Sequence, residues 1–240
     1  LAQTHSELDI VAGTFDGSPH LSRGSAAGWL APEQILDRDG QRIVGNQFWN
    51  FDTKKWDSTK RCDPPGHEGE AHVTSAVACD LDGDGDLDLL LGDHGSGRVF
   101  RRTNEGTASK PAFATRNELV LAGGQPIDVP GTVATMRLFD WDKDGLPDLV
   151  CGGMGDAYGA REGGGVHLFR NTGTQQAAAF AAPVTLLERS KKGTSAPARP
   201  DSGIYMDLGD HDGDGDFDMI VGGYSNWTPK PVTLTAEQQQ

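Results

Sequence analysis

The sequence predicts an all-β protein built from repeated four-stranded units, the blades of a β-propeller. An acidic loop rich in Asp and Gly occurs three times, and each copy leads into a short apolar run that ends in glycine. The copies begin at Asp80, Asp140 and Asp210, so the repeats are 60 and 70 residues long. Short strands that recur with turns at a nearly fixed spacing are typical of propeller blades.

We expect one β-propeller region over residues 1–240, divided into repeats at 1–72, 73–131, 132–201 and a partial 202–240. In the first repeat, residues 8–13 match the apolar strand that follows each acidic loop, but no recognisable loop precedes them. Only two stretches run complete from loop to loop. We therefore expect three to four blades in an open arc. Because the sequence starts at Leu1 rather than Met, we also expect it to be part of a longer parent chain.

An insertion at residues 38–72 interrupts the first repeat and is rich in aromatic residues. We predict that Phe48, Trp49 and Trp56 bind a ligand, as a stacking platform for a sugar or an aromatic side chain. Loops on a rigid scaffold commonly carry binding residues. The alternative is that these rings pin a long loop onto the propeller.

Polar and sulfur-containing residues of the same region offer a weaker signal. His67, Glu68, Glu70 and His72 could form a second metal site or an acid–base pair, or simply a polar loop before a strand. The spacing is not His-Glu-x-x-His, because Ala71 takes the place of the second histidine. The chain contains three cysteines without a Cys-x-x-Cys pair, and we expect the two in strands, Cys79 and Cys151, to be small buried residues.

Each acidic loop places Asp at positions 1, 3, 5 and 9 and Gly at position 6. The candidate metal ligands are Asp80, Asp82, Asp84, Asp86 and Asp88; Asp140, Asp142, Asp144, Leu146 and Asp148; and Asp210, Asp212, Asp214, Asp216 and Asp218. Carboxylates this close repel one another unless a cation lies between them. Ca²⁺ takes six to eight oxygen ligands, so we predict about three Ca²⁺, one per loop. Position 7 would offer its backbone carbonyl, which leaves the side chains of Asp86 and Asp216 free to face water.

An EF-hand is the obvious alternative, but it needs Glu at position 12 and a helix on each side. Position 12 is Leu91, Cys151 or Val221, within an apolar run that is typical of a buried strand. A metal-free Asp/Gly turn is the other alternative. Three copies in phase with the following strand favour the metal loop.

Asp-x-Asp-x-Asp-Gly-x-x-Asp followed by an apolar strand and Gly resembles the FG-GAP and VCBS-type repeats of integrin-α-like β-propellers. The resemblance covers the three loops and most of the chain between them. It implies calcium-binding blades of a propeller that closes with about seven of them. It also implies a secreted or exported protein, located outside the cell, on its surface or in the periplasm.

The composition limits the classes of partner that the chain can be expected to bind. The net charge is −14, which argues against a nucleic-acid partner because phosphate binding needs a basic face. No apolar run is long enough to span a membrane. We therefore expect a calcium-binding, non-enzymatic binding or adhesion module for an extracellular protein or glycan. The alternative is the propeller part of a secreted carbohydrate-active enzyme, a polysaccharide lyase or hydrolase.

Overall fold

The computed structural model describes residues 8–69, 71–156, 162–191 and 199–225. Within these ranges the regular elements are all β-strands, as predicted, and no helix long and apolar enough to cross a membrane occurs. The strands are β1 (Ile10–Gly13), β2 (Pro19–Ser22), β3 (Gly24–Ser25), β4 (Gly28–Trp29), β5 (Glu33–Gln34), β6 (Gln47–Asn50), β7 (Lys55–Ser58), β8 (Val73–Cys79), β9 (Asp88–Asp93), β10 (Val99–Arg102), β11 (Glu118–Leu119), β12 (Leu121–Ala122), β13 (Gln125–Pro126), β14 (Val133–Phe139), β15 (Asp148–Gly153), β16 (Val166–Phe169), β17 (Val184–Leu187), β18 (Ser202–Gly209) and β19 (Asp218–Tyr224).

These strands form four consecutive blades. Blade 2 is the four-stranded sheet β8 to β11 and blade 3 the four-stranded sheet β14 to β17, each antiparallel with its strands in chain order. Blade 1 contains β1, β2 and β5, and the described part of blade 4 contains β18 and β19. Each acidic loop joins the first two strands of a blade, since its position 9 pairs with the residue just before the loop, as Asp88 does with Cys79. The predicted four-stranded repeat is therefore confirmed in blades 2 and 3.

The apolar runs after the first two loops, in β9 and β15, are buried on both faces, to which successive side chains of a strand point in turn. Leu89 and Leu91 pack towards blade 1, whereas Leu90 packs towards blade 3. In β15, Cys151 faces blade 2 and Val150 faces blade 4. Such strands have continuous apolar sequences rather than alternating ones, and their faces fill the spaces between neighbouring blades.

The three cysteines are free thiols and all are buried. Cys79 and Cys151 lie in strands, as expected, with 7% and 0% of their surface exposed. Burial raises the pKa of Cys79 to about 12, and it also raises the pKa of Cys151. These thiols therefore stay protonated and act as small apolar residues.

The described blades form an arc rather than a ring. The first strand of each blade lies beside that of the next, from β8 to β14 to β18, and β1 lies beside β8. At the two ends, Ile10 is 43% exposed and Ile220 is 56% exposed, so neither is packed against another blade within the described ranges. A total of seven blades stays a prediction.

The insertion is part of the fold. Its β6 and β7 form a hairpin, while Ile43, Val44 and Cys62 are buried between the hairpin and the blades. The buried Arg102 of blade 2 donates from Nε to Asn117 Oδ1 (2.9 Å). Asn117 in turn donates to the carbonyl of Val44 at 2.9 Å. The insertion is thus fastened to blade 2 by buried hydrogen bonds.

Candidate functional site

The position-1 carboxylate shapes each acidic loop from within. In the Asp80 loop (80–88), Asp80 accepts hydrogen bonds from the backbone N–H of Gly83 at 2.7 Å and of Gly85 at 3.0 Å. Asp210 repeats this pattern in the Asp210 loop (210–218). Gly83 and Gly85 have φ of 69° and 91°, a left-handed conformation that favours glycine. The spacing of Asp and Gly thus encodes one compact turn.

The Asp140 loop (140–148) departs from this pattern at position 4. The residue there is Lys143, which adopts φ of 62° although it has a Cβ. Asp140 accepts from the N–H groups of Asp144 and Gly145, both at 3.0 Å. The same turn therefore forms, with backbone strain and with a cationic side chain in the loop.

Carboxylates gather in all three loops. Each group contains three Asp whose oxygens lie within 4.8 Å of one another: Asp80, Asp82 and Asp84; Asp140, Asp142 and Asp148; and Asp210, Asp212 and Asp218. Positions 1 and 3 therefore meet in every loop, joined by position 5 in the first and by position 9 in the other two. Asp88, Asp144 and Asp214, also predicted ligands, lie in the loops but outside these groups.

The position-9 carboxylate links each of the first two loops to the rest of its blade. Asp88 and Asp148 are 1% and 0% exposed, and burial raises the pKa of both. Asp88 accepts from the N–H of Asn104 at 2.7 Å, and Asp148 accepts from that of Asn171 at 2.6 Å. Both asparagines begin an Asn-x-Gly-Thr segment, at 104–107 and 171–174, and nothing in the sequence indicated their contact with the acidic loops.

Two arginines that sequence reasoning also missed lie against the carboxylates. Arg101 Nη2 donates to Asp88 Oδ2 at 2.7 Å and also contacts Asp82. Arg170 contacts Asp142, and its Nε lies 3.6 Å from Asp148 Oδ1. Each arginine thus bridges positions 3 and 9 of its loop. Among the described residues, no ion pair involves the Asp210 loop.

Position 7 differs between loops, and one expectation was wrong. Asp216 is exposed, as expected, but Asp86 is only 6% exposed and its Oδ1 has no hydrogen-bond partner among the described residues. Burial and the carboxylates of Asp84 and Asp82 raise the pKa of Asp86. A buried, unpartnered carboxylate oxygen beside a carboxylate group is costly unless a cation compensates it. This arrangement fits a hard cation with oxygen ligands.

The Asp80 loop also lies against the neighbouring blade. A Cβ placed on Gly83 would overlap the carbonyl oxygen of Gln175 and lie 2.8 Å from its carbonyl carbon. Gln175 belongs to the turn between β16 and β17 of blade 3. The corresponding Gly213 has no neighbour within 4 Å among the described residues.

The insertion contributes an aromatic patch, which we define as Phe15, Trp49, Phe51 and Trp56. Together with Asp16 these residues line a shallow depression of about 330 Å³. The Trp56 ring makes edge contacts with Trp49 and Phe15, with centroids at 5.7 and 5.8 Å. Phe15, Phe51 and Trp56 are 71%, 60% and 46% exposed. The patch joins two of the predicted ligand-binding residues to two rings that the prediction omitted.

Phe48, the third predicted ligand-binding residue, lies apart from the patch. It neighbours Trp49 along β6 and so points to the other face of the hairpin. The Arg42 guanidinium lies over the Phe48 ring, 4.9 Å from its centroid. Arg42 also donates to Asp16 Oδ2 at 2.9 Å, so this cation supports the base of the patch.

The histidine and glutamate residues of the insertion do not form one group among the residues described. His72 Nε2 lies 3.0 Å from the carbonyl oxygen of Phe15, and the His72 ring packs against Trp56. His67 lines a different, narrow cleft with Asp63 and Arg98. Glu68 is exposed, and Glu70 lies outside the described residues.

Consecutive sheets stacked side by side, three of them with an acidic loop after the first strand, define a repeat protein of the propeller type. A family model described as "FG-GAP-like repeat" matches residues 80–151 and 140–221. Each match runs from position 1 of one loop to the strand after the next loop. The two matches cover more than half of the chain, which therefore belongs to the FG-GAP-like repeat family. No curated protein and no solved structure matches it.

Proposed function

We propose that the chain is a calcium-stabilised, non-enzymatic binding or adhesion module. It acts outside the cytoplasm and recognises an extracellular protein or glycan. The observation that carries the calcium part is the gathering of carboxylate oxygens in all three loops, within 4.8 Å in each group. FG-GAP-like repeats are typical of extracellular proteins, which supports the location.

Calcium would be held by carboxylates of positions 1, 3, 5 and 9 and by the carbonyl of position 7. When bound, the ion supplies positive charge that offsets carboxylate repulsion. Each loop closes the hairpin between the first two strands of a blade, so this repulsion acts directly on the sheet. Binding to the folded chain alone raises its stability by mass action.

The test is thermal unfolding in Ca²⁺, in chelator and in Mg²⁺. We expect the melting temperature to rise with Ca²⁺ and fall with chelator. Mg²⁺ should have a smaller effect because it requires near-ideal octahedral geometry. Asp212→Asn removes a position-3 carboxylate while keeping the shape of the side chain, and it should remove about one site in calorimetry. A melting temperature that ignores Ca²⁺ and chelator alike would contradict the proposal.

The ligand surface we propose is the aromatic patch. Large exposed aromatic rings that form a contiguous surface commonly mark a binding site. Flat rings above a polar base suit the apolar face of a sugar or another aromatic group. The patch lies on an insertion and on a loop of blade 1, away from the acidic loops. Binding and metal stabilisation would therefore be separable.

Soluble polysaccharides are suitable probes, with binding followed by tryptophan fluorescence and affinity electrophoresis. Trp56→Ala and Phe51→Ala should weaken binding and leave the melting temperature nearly unchanged. The matched control is Trp29→Ala, which removes a ring that is 62% exposed but lies on the β3–β4 hairpin. If patch variants lose stability and retain binding, the rings serve only to pack the insertion.

A further inference from the structure

We infer that Arg101 and Arg170 are internal counter-ions that weaken calcium binding at the Asp80 and Asp140 loops. This inference rests on the proposed calcium binding but concerns different residues. It makes a separate prediction for each arginine.

The arginine contacts are close and partly shielded from water. Arg101 lies between Asp82 and Asp88, whose side chains are 33% and 2% exposed, and its own side chain is 23% exposed. Arg170 lies between Asp142 and Asp148, which are 30% and 0% exposed. Both arginines thus occupy the same position relative to the ligand set, one at the end of β10 and the other just after β16.

The charge around the two loops differs as well. The Asp80 loop has five Asp and one arginine contact, and the Asp140 loop has four Asp and one arginine contact. Lys143 adds a cation to the Asp140 loop, with its Nζ 4.5 Å from the centroid of the Phe217 ring. Coulomb attraction for a divalent cation is therefore weaker at the Asp140 loop than at the Asp80 loop.

The arginines also replace part of the function of the ion. A guanidinium that bridges two carboxylates reduces their repulsion before any metal binds. The Asp80 and Asp140 loops can therefore keep their shape at low calcium concentration.

The Asp140 loop provides its own optical probe. Trp141 stands at position 2 of this loop, where the other two loops have Leu81 and His211. Terbium is a hard trivalent substitute for calcium, and its luminescence is sensitised by a tryptophan only at short range. Sensitised emission therefore reports mainly on the Asp140 site.

The decisive variant is Arg170→Gln, which removes the charge but retains a polar side chain. The terbium affinity of the Asp140 loop should increase about 5- to 20-fold. This is the change expected when a unit charge about 5 Å from the ion is removed in solvent that contains salt. Arg170→Lys keeps the charge and should stay near the wild-type affinity. Arg23→Gln is the matched control, since within the described ranges it removes an exposed arginine that pairs only with Asp9 and Glu33.

Calorimetry with Ca²⁺ gives a second, independent test of the inference. Arg101→Gln should tighten one binding step, and Asp142→Asn should remove the step that Arg170→Gln tightens. If a glutamine variant is unfolded in chelator, its affinity is measured after calcium refolds it. Recovery by calcium would itself show that the arginine replaces the ion.

Opposite results would overturn the inference. Unchanged or weaker affinity in both glutamine variants would show that the arginines only position the carboxylates. Equal behaviour of Arg170→Gln and Arg170→Lys would show that charge is not the cause. Absence of any calcium binding by the wild-type chain would overturn the proposed function as well, whereas binding that the glutamine variants leave unaltered would overturn only the role of the arginines.

Discussion

Gly83 offers the sharpest test of how an acidic loop is joined to the next blade. Its φ of 69° lies in the left-handed region, and a Cβ there would overlap the carbonyl group of Gln175 in blade 3. Gly83→Ala should therefore combine two costs. The backbone conformation costs about 1–2 kcal/mol for alanine. Displacing the neighbouring backbone costs about another 1–3 kcal/mol.

Gly213→Ala separates these two costs. Gly213 occupies the same position of the Asp210 loop with φ of 80°, and a Cβ placed there would have no described atom within 4 Å. This variant should lose only the backbone term, about 1–2 kcal/mol. The difference between the two variants, about 1–3 kcal/mol, measures the contact between the Asp80 loop and blade 3.

The assay is denaturant-induced unfolding of both variants and the wild-type chain, in saturating Ca²⁺ and in chelator. Free energies of unfolding are compared only between variants with the same dependence on denaturant concentration, since a changed slope would indicate loss of two-state behaviour. Equal destabilisation by Gly83→Ala and Gly213→Ala would refute the packing of the Asp80 loop against blade 3. If Gly213→Ala lowered the free energy of unfolding more than Gly83→Ala does, the two glycines would not occupy equivalent positions in their loops.

Three further predictions concern the core. Leu90→Ala, at a position with 0% exposure, should cost about 2–5 kcal/mol in denaturant unfolding, whereas Leu87→Ala, at 54% exposure, should change stability by less than about 0.5 kcal/mol. Burial, together with the charge of Arg189, lowers the pKa of His167, so its stabilising contribution is present above the unfolded pKa and is lost as pH falls through the folded pKa. His167→Phe should flatten this acid-side loss below a pH of about 6.5, and an unaltered pH profile would exclude His167 as its source. The three buried cysteines should react with a thiol reagent only after unfolding, and rapid labelling of the folded chain would contradict their burial.

Much of the acidic loops was predictable because their structure is local. The Asp at position 1 bonds the N–H groups three to five residues later, and glycines stand where the backbone turns left-handed. The apolar runs also predicted β9, β15 and β19, and β9 and β15 are buried on both faces, where no alternation is needed. The family match to 80–151 and 140–221 confirms the resemblance to FG-GAP repeats.

The omissions share a different cause. Arg101 reaches Asp82 from 19 residues away, and Phe15 meets Trp56 across most of a blade and the insertion. Strand residues such as Arg101 carry no local sign of their partner. Similarly, the side chain of Asp86 was expected to face water because of its position in the loop, but the fold buries it.

The sequence by itself determined the blade repeat, the Asp and Gly turn and the close spacing of the carboxylates, because these depend on short-range backbone geometry and on the order of residues along the chain. Only the tertiary structure decided which loops receive an arginine, which loop lies against a neighbouring blade and which aromatic rings form one patch. Those features depend on contacts between residues far apart in the chain, such as Gly83 with Gln175. The packing angle and register of whole sheets fix such contacts, and no local pattern encodes them.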